Sequence, residues 1–293
     1  MKRCVFALGF FDGAHLGHQA LLEACVAMAE RLDAAAGAIT FDNHPKALFS
    51  DRAPALLTSL EDRLALLKHF GMQTVKVLPV TAEVMGTPWE EFLCHLAADG
   101  AVGFVCGRDF RFGRKGQGDA GKLEAFCRQR GIECRIVEDR TLDGIRVSSS
   151  HIRDLLEAGD LAGANRFLGH PHVISGSVVA GRQLGRTIGV PTANLVIPEG
   201  VLCPRFGVYA CLAHVEGKRF AAVTNIGNRP TVGGHRVTVE PWLLDFQGDL
   251  YGKTLTLELR AFLREERKFD SLEALKAAIL ENEKQTREIL END

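Results

Sequence analysis

The sequence predicts two domains of different fold class: an α/β domain with a parallel sheet over residues 1–168, and an all-β domain with a terminal helix over residues 169–293. Three observations support this division. The chain has 293 residues, whereas an average domain has roughly 150. Apolar runs of strand length alternate with helical patterns in the first half. Beyond Gly169, strand-like runs follow one another with glycine-rich turns between them.

The first half is predicted to be strands joined by helices. An apolar stripe from Leu21 to Leu32 has helical spacing. Thr58 and Glu61 form a capping box for a second helix, and Thr87 followed by Pro88 predicts the start of a third. The predicted strands are residues 4–10, 38–41, 74–80, 102–106 and 133–137, and the later helices are residues 122–130, 149–157 and 160–168.

The second half is predicted to be a closed antiparallel barrel. Its apolar runs are separated by turn residues and have no helical pattern between them. Asp270 and Glu273 form a capping box for a final helix that ends near Leu290. The predicted strands are residues 173–180, 208–215, 220–225, 237–246 and 255–262.

The composition excludes several classes of protein. Hydrophobic residues make up 46% of the chain and charged residues 25%, as in ordinary globular proteins. The net charge of −2 offers no general attraction for nucleic acid or anionic membranes. We expect no membrane span and no signal peptide, because the apolar runs are only of strand length. The eight cysteines include no Cys-x-x-Cys pair, so we expect reduced thiols and a cytoplasmic protein.

The segment from Gly9 to His18, Gly-Phe-Phe-Asp-Gly-Ala-His-Leu-Gly-His, lies where the first strand gives way to the first helix. Ligands bind at the carboxyl ends of parallel strands, and a helix N-terminus there favours a phosphate. Gly13 and Gly17 allow close approach, and His15 and His18 share one face of the first turn. These features suit stabilisation of a phosphoryl group in transfer. The alternative is two ordinary polar residues at a helix start.

This segment resembles the His-x-Gly-His motif of the nucleotidyltransferase superfamily, whose domain is a Rossmann-like parallel sheet. Together with Thr40-Phe41-Asp42-Asn43-His44-Pro45, residues 107–113 and the Ser-Ser-Ser-His-Ile-Arg run at 148–153, it resembles the FAD synthetase domain of bacterial bifunctional riboflavin kinase/FAD synthetases. The resemblance implies that His15 and His18 contact the ATP phosphates and that Ser148 and Arg153 close over them. The other nucleotide-binding residues it implies are Gly9, Phe10, Asp12, Gly17, His44 and Asp109.

A second glycine-rich segment, Gly116-Gln-Gly-Asp-Ala-Gly121, matches the Gly-x-Gly-x-x-Gly dinucleotide pattern. No buried strand directly precedes it, so the strand–turn–helix context of that pattern is missing. We interpret it as a basic, glycine-rich loop rather than a nucleotide site.

The segment 181–194 of the predicted barrel carries a second set of candidate residues. Gly181, Gly185 and Arg186 belong to a glycine-spaced run that could fold over phosphates. Thr192 and Asn194 lie two apart on an extended chain, face the same way and offer oxygen ligands suited to Mg²⁺. The alternative is a long hairpin loop with solvated arginines.

The Gly-Val-Pro-Thr-Ala-Asn run at 189–194 resembles the riboflavin kinase family, as do the segments 206–209, 225–231, 239–240, 244–246, 249–252 and 263–269. The resemblance implies a six-stranded flavokinase barrel that phosphorylates riboflavin, with Thr192 and Asn194 holding Mg²⁺–ATP. It implies that Glu240 is the general base, since a carboxylate can accept the proton of a primary hydroxyl. Trp242 stands where the family often has His. The flavin-binding residues implied are Asn228, Arg229, Thr231 and Arg264.

The expected function is the synthesis of FMN from riboflavin and ATP, followed by adenylylation of FMN to FAD, with ATP, riboflavin and FMN as partners and Mg²⁺ as the metal. Three alternatives stay open at this point. They are a riboflavin kinase with a silent first domain, a flavin-binding regulatory or carrier protein, and a nucleotidyltransferase for another acceptor.

Overall fold

A computed structural model describes residues 3–50, 53–181, 189–231 and 234–291, and for 229–231 and 234–236 it describes the backbone alone. The chain divides into two compact units, Met1–Leu56 with Leu60–Ser149, and Leu57–Ser59 with Ser150–Asp293. The boundary after residue 168 stays a prediction.

The first unit is built on a five-stranded parallel sheet in the order β3-β2-β1-β4-β5. The chain turns from one side of β1 to the other between β3 and β4, so β1 and β4 flank a switch point of the kind where ligands bind. The strands are β1 Cys4–Leu8, β2 Ala35–Phe41, β3 Thr74–Leu78, β4 Ala101–Gly107 and β5 Glu133–Val137. A small hairpin, β6 Thr141–Leu142 and β7 Ile145–Arg146, follows.

Helices cover both faces of this sheet because successive side chains of each strand point to opposite sides. Cys4, Phe6 and Leu8 of β1 belong to one apolar cluster. Val5 and Ala7 belong to the other. The helices are α1 Leu16–Arg31, α2 Leu60–His69, α3 Ala82–Gly86, α4 Trp89–Ala98 and α5 Ala120–Arg130.

The second unit is a closed barrel whose strands pair in the order β10-β11-β12-β9-β8-β13. Its neighbouring strands are antiparallel. The strands are β8 His172–Val179, β9 Asn194–Val196, β10 Gly207–Val215, β11 Lys218–Thr231, β12 Gly234–Leu243 and β13 Thr254–Arg264. The helices of this unit are α6 Ser149–Ala158, α7 Leu161–Leu168 and α8 Leu272–Glu291.

The predicted fold class, a parallel α/β sheet followed by a six-stranded barrel and a terminal helix, is confirmed. The apolar pattern missed β9, because a strand of three residues is too short to show alternation. It also missed α3 and the β6–β7 hairpin. Within the described ranges, no helix is both long enough and apolar enough to cross a membrane.

Two predicted helix caps were wrong. The N-cap of α4 is Pro88 and not Thr87, which instead ends α3. The cap of α8 is formed by the Oγ of Ser271, which accepts a hydrogen bond from the amide of Ala274 at 3.1 Å, and the helix begins two residues after Asp270. At α8 the neighbouring Ser271 is as good a capping residue as Asp270. At α4 the helix begins one residue later than predicted, and Pro88 makes no side-chain capping hydrogen bond.

The Gly-x-Gly-x-x-Gly segment does not join a strand to a helix in the dinucleotide-binding manner. Gly118 pairs with Phe112 in an isolated bridge, and Asp119 caps α5. A side chain at Gly118 would overlap the Phe112 ring, because a Cβ there would lie 2.6 Å from it. The second glycine of the pattern is therefore explained by packing.

Candidate active sites

The turn between β1 and α1 has an unusual backbone conformation. Phe11, Gly13 and Ala14 all have positive φ, at 59°, 76° and 40°. Left-handed conformations at non-glycine residues are strained and concentrate at functional sites. The turn directs the chain so that His15 caps α1, with its Nδ1 accepting a hydrogen bond from the His18 amide at 3.3 Å.

His15 and His18 form a stacked pair. Their ring centroids are 3.7 Å apart, and the Phe11 ring meets the His18 ring edge-on at 5.3 Å. Burial lowers the pKa of His18 well below its ordinary value, and the nearby His15 and Arg63 lower it further. His18 is therefore neutral near pH 7, when its ring can donate a hydrogen bond without carrying a charge.

A cavity of about 260 Å³, here called the histidine cavity, opens at the carboxyl ends of β1, β4 and β5. The structure brings seven of the predicted residues to this cavity. They are Gly9, Phe10, His15, Gly17, His18, Asp109 and Ser148 with Arg140, Arg146 and Ser149 among the other lining residues. Residues that are far apart in sequence thus meet at the predicted switch point.

Ser149, the last residue of the first unit and the first residue of α6, contacts the same turn. The Ser149 hydroxyl donates a hydrogen bond to the backbone oxygen of Asp12 at 3.1 Å, which places Ser148 beside the histidines. Arg146 adds positive charge and is held by Asp109 and by Asp139, whose Oδ2 lies 2.9 Å from its Nε. Arg146 could not be predicted from the sequence, because neither its spacing nor its neighbours mark it as part of the site.

Three other predicted residues do not line the histidine cavity in the described part of the chain. Asp12 is buried within the turn. His44 caps a short turn and meets the ring of Phe10 edge-on at 5.1 Å. Arg153 lies one helical turn into α6, beyond Ser149.

A larger, mostly apolar cavity of about 590 Å³ adjoins the histidine cavity, and Leu8, Gly9 and Phe110 line both. We call it the apolar cavity. Its wall also contains side chains from the ends of β2 and β3, and Lys46, Arg111 and Lys115 supply positive charge. The other wall residues include Ile39, Phe41, Phe49, Leu78, Met85, Phe92 and Phe112.

The second unit has its own cavity, of about 690 Å³, between barrel strands and α8. We call it the barrel cavity. Thr192, Glu240 and Arg264, all predicted site residues, line it. Residues that the motifs did not single out for a role complete the wall, among them Asn225, Trp242, Phe269, Leu275, Ile279 and Asn282.

The segment that contains Thr192 and Asn194 runs alongside β12, the strand that bears Glu240. The amide of Ala193, between them, donates a hydrogen bond to the Pro241 oxygen at 2.9 Å. A Cβ at Gly181 would lie 2.1 Å from the Asn194 side chain, so only glycine leaves that carboxamide its room. Asn225 is the cross-strand partner of Glu240.

Arg264 is fixed at the far wall of the barrel cavity. Its Nε donates to the Asn282 Oδ1 at 3.0 Å, and its guanidinium lies 5.5 Å from the centre of the Phe269 ring. Burial lowers the pKa of Arg264, with a smaller contribution from Arg267. The sequence could not have paired Asn282 with Arg264, because α8 must first pack against the barrel.

The remaining predicted residues cannot be placed against this cavity. Gly185 and Arg186 lie outside the described residues, and so do the side chains of Arg229 and Thr231. Asn228 is exposed on β11.

Comparison with known proteins identifies the class first. The family profile described as FAD synthetase matches residues 1–151, and the profile described as riboflavin kinase matches residues 168–290. The chain is therefore a two-domain protein with one domain of each family.

Curated relatives identify the family of the whole chain more specifically. A bifunctional riboflavin kinase/FMN adenylyltransferase of Escherichia coli is 38% identical over 97% of this chain and 92% of its own. One of Listeria monocytogenes is 34% identical over 97% of this chain and 91% of its own. A crystal structure described as a macrolide-efflux protein from Streptococcus pneumoniae has a TM-score of 0.86 at 29% identity and covers 98% of this chain and 94% of its own. The chain belongs to the family of bifunctional riboflavin kinase/FMN adenylyltransferases, as the motifs predicted.

Proposed function

We propose that the barrel converts riboflavin and ATP to FMN and ADP, and that the sheet unit converts FMN and ATP to FAD and pyrophosphate. The observation that supports this most is the layout of each unit. Each has a cavity of several hundred Å³ with apolar walls, and each has polar groups suited to phosphate chemistry at its side. A flavin needs an apolar wall for its ring system, and a few polar groups fix its orientation.

In the barrel, Glu240 accepts the proton of the riboflavin 5′-hydroxyl as that oxygen attacks the γ-phosphorus of ATP, and ADP leaves. Its position in the wall of the barrel cavity supports this role. Trp242 lies two residues along the same strand and lines the same cavity, so it offers an aromatic face to the flavin. Arg264 and Asn282 bind polar atoms of the flavin from the opposite wall.

Mg²⁺ bound with ATP would neutralise charge on the transferring phosphoryl group. The Thr192 hydroxyl and Asn194 amide oxygen fit this ion, since Mg²⁺ prefers a few hard oxygen ligands together with phosphate and water. The bare Gly181 next to Asn194 supports the fit, because it leaves room beside the amide. Among the described residues, no group of three or more His, Cys, Asp and Glu could hold a metal by itself.

In the sheet unit, a phosphate oxygen of FMN attacks the α-phosphorus of ATP, and pyrophosphate leaves. His15, His18 and Ser148 contact the ATP phosphates, and the N-terminus of α1 contributes its positive dipole end. The flavin ring of FMN occupies the apolar cavity. Because Gly9 lines both cavities, the FMN phosphate reaches the histidines from there.

The purified chain, incubated with riboflavin, ATP and Mg²⁺, should accumulate FMN first and FAD second when the flavins are separated by chromatography. FMN without FAD would contradict the role of the sheet unit and favour other phosphorylated acceptors. Tight riboflavin binding without either product would favour a regulatory protein.

A further inference from the structure

Arg63, on α2, has the largest side chain that the structure buries completely in its described residues. Arginine is almost never fully buried unless its charge is paired and its donors are used. Arg63 belongs to none of the motifs of the family resemblance and has no role in the proposed function. Its position therefore requires an explanation of its own.

The Arg63 guanidinium joins the ends of two neighbouring strands. Its Nη1 donates to the Phe10 oxygen at 3.3 Å, and its Nη2 donates to the Phe41 oxygen at 2.8 Å. The guanidinium also lies over the Phe10 ring, 4.4 Å from its centre. Thr40 donates a second hydrogen bond to the Phe10 oxygen, at 2.7 Å.

These two carbonyls belong to the two halves of the proposed adenylyl-transfer site. Phe10 lines the histidine cavity and directly precedes the strained turn that leads to His15 and His18. Phe41 ends β2 and lines the apolar cavity. A single planar cation thus holds the backbone of one cavity at a set distance from the backbone of the other.

The charge of Arg63 acts at the same place. Asp12, within the turn, and Asp42, just after β2, favour the charged guanidinium against the cost of its burial. Arg63 in turn contributes to keeping the pKa of His18 low, after the larger effects of burial and of His15. Replacing the cation would therefore disturb the spacing of the two cavities, and it would remove one of the effects that lower the pKa of His18.

We infer that Arg63 is a positioning residue for adenylyl transfer: by holding the Phe10 and Phe41 carbonyls together, it aligns the phosphate of FMN in the apolar cavity with the α-phosphorus of ATP in the histidine cavity. This inference rests on the proposed function of the sheet unit. Each substrate keeps its own contacts when Arg63 is replaced, and only their alignment is lost. Loss of alignment lowers kcat and leaves KM nearly unchanged.

The test compares Arg63→Met and Arg63→Lys with the parent in FAD formation from FMN and ATP. Methionine fills most of the space without donors, so kcat should fall about 100-fold while KM for both substrates changes less than about threefold. Lysine restores the charge but not the planar fork, so its kcat should fall only about tenfold. Riboflavin phosphorylation by the barrel of the same variants is the internal control for the other unit and should stay at the parent rate, while an unchanged KM for FMN and ATP shows that the sheet unit has folded.

Arg128→Met is the matched control, because Arg128 is an exposed arginine on α5 of the same unit. It should behave as the parent does. A parent-like kcat in Arg63→Met, a KM increase with unchanged kcat, or equal loss in the lysine and methionine variants would overturn the inference. If Arg63→Met fails to fold, Arg63→Lys decides alone: a lower kcat at unchanged KM supports positioning, and a parent kcat refutes it. A parent that makes no FAD refutes the proposed function itself.

Discussion

The two units position their candidate site residues in different ways. In the sheet unit, His15 and His18 follow a backbone turn with three positive φ angles. The buried Arg63 donates a hydrogen bond to the Phe10 oxygen at the start of that turn. In the barrel, Glu240 and Trp242 lie two residues apart on one strand and line the same cavity. Asn225 lies opposite Glu240 on the neighbouring strand. The first site therefore depends on backbone shape, whereas the second depends on strand register. Substitutions should therefore disrupt the two sites in different ways.

The strongest separation of the two sites should come from His18→Ala. If His18 contacts the ATP phosphates as proposed, its removal should lower FAD formation from FMN by about 100-fold or more. Riboflavin phosphorylation should remain at the parent rate, because His18 belongs to the sheet unit. Rates with each flavin substrate, measured by chromatography, provide the check, and His69→Ala, an exposed histidine on α2, is the control. Loss of both activities together would mean that the sites are not separable.

Glu240→Ala should give the opposite result. Without the general base, riboflavin phosphorylation should fall by about 100-fold to 10,000-fold. FAD formation should be unaffected when FMN is supplied directly. Glu216→Ala, at an exposed glutamate on the turn after β10, is the matched control. A Glu240→Ala variant that phosphorylates riboflavin at the parent rate would show that another group accepts the proton.

Gly181→Ala sharpens the comparison at the proposed metal ligand. The new methyl group would overlap the Asn194 side chain and push it from its place. Disturbing a residue at a metal site lowers metal affinity by about 10-fold to 100-fold, so KM for Mg²⁺–ATP in the kinase reaction should rise about tenfold or more. The control is Gly86→Ala, since a Cβ at Gly86 meets nothing within 4 Å. An unchanged KM would remove Asn194 from the metal site.

The smallest expected effect concerns stability in acid. His172 at the start of β8 is fully buried, and burial, aided by His170, lowers its pKa to about 3. The unfolded chain binds a proton near pH 6.5 that the folded barrel does not accept. Stability is therefore lost as the pH falls below about 6.5, by up to about 1.4 kcal/mol per pH unit.

His172→Gln should remove this loss. Urea unfolding at pH 7 and pH 5 should show a smaller decrease for the variant than for the parent, whatever the absolute stabilities are. The exposed His69→Gln serves as the control and should leave the decrease as it is in the parent. Equal decreases in the His172→Gln variant and the parent would mean that His172 is protonated in the folded barrel.

The local patterns of the sequence predicted much of this molecule. Period-two and helical spacing predicted the α/β half and five of the barrel strands, and β9 was missed because its three residues carry no pattern. The helix-capping error at Asp270 arose because the neighbouring Ser271 satisfies the pattern equally well, whereas at Thr87 the helix begins one residue later than the pattern predicted. The roles of the site residues, and of the predicted Mg²⁺, remain predictions that the variants above test.

What could be read from the residues was the pair of fold classes, the family, and the segments that carry His15, His18, Thr192, Asn194 and Glu240. These features are local, because a strand, a turn or a short motif is written in consecutive residues. The tertiary structure decided which distant residues contact them. Arg63 binds the Phe10 oxygen before the turn that leads to His15, Arg146 pairs with Asp109, and Asn282 accepts a hydrogen bond from Arg264. Such partners depend on how helices pack on sheets. An arginine in an amphipathic helix looks the same in sequence whether it faces water or lies beneath a sheet edge.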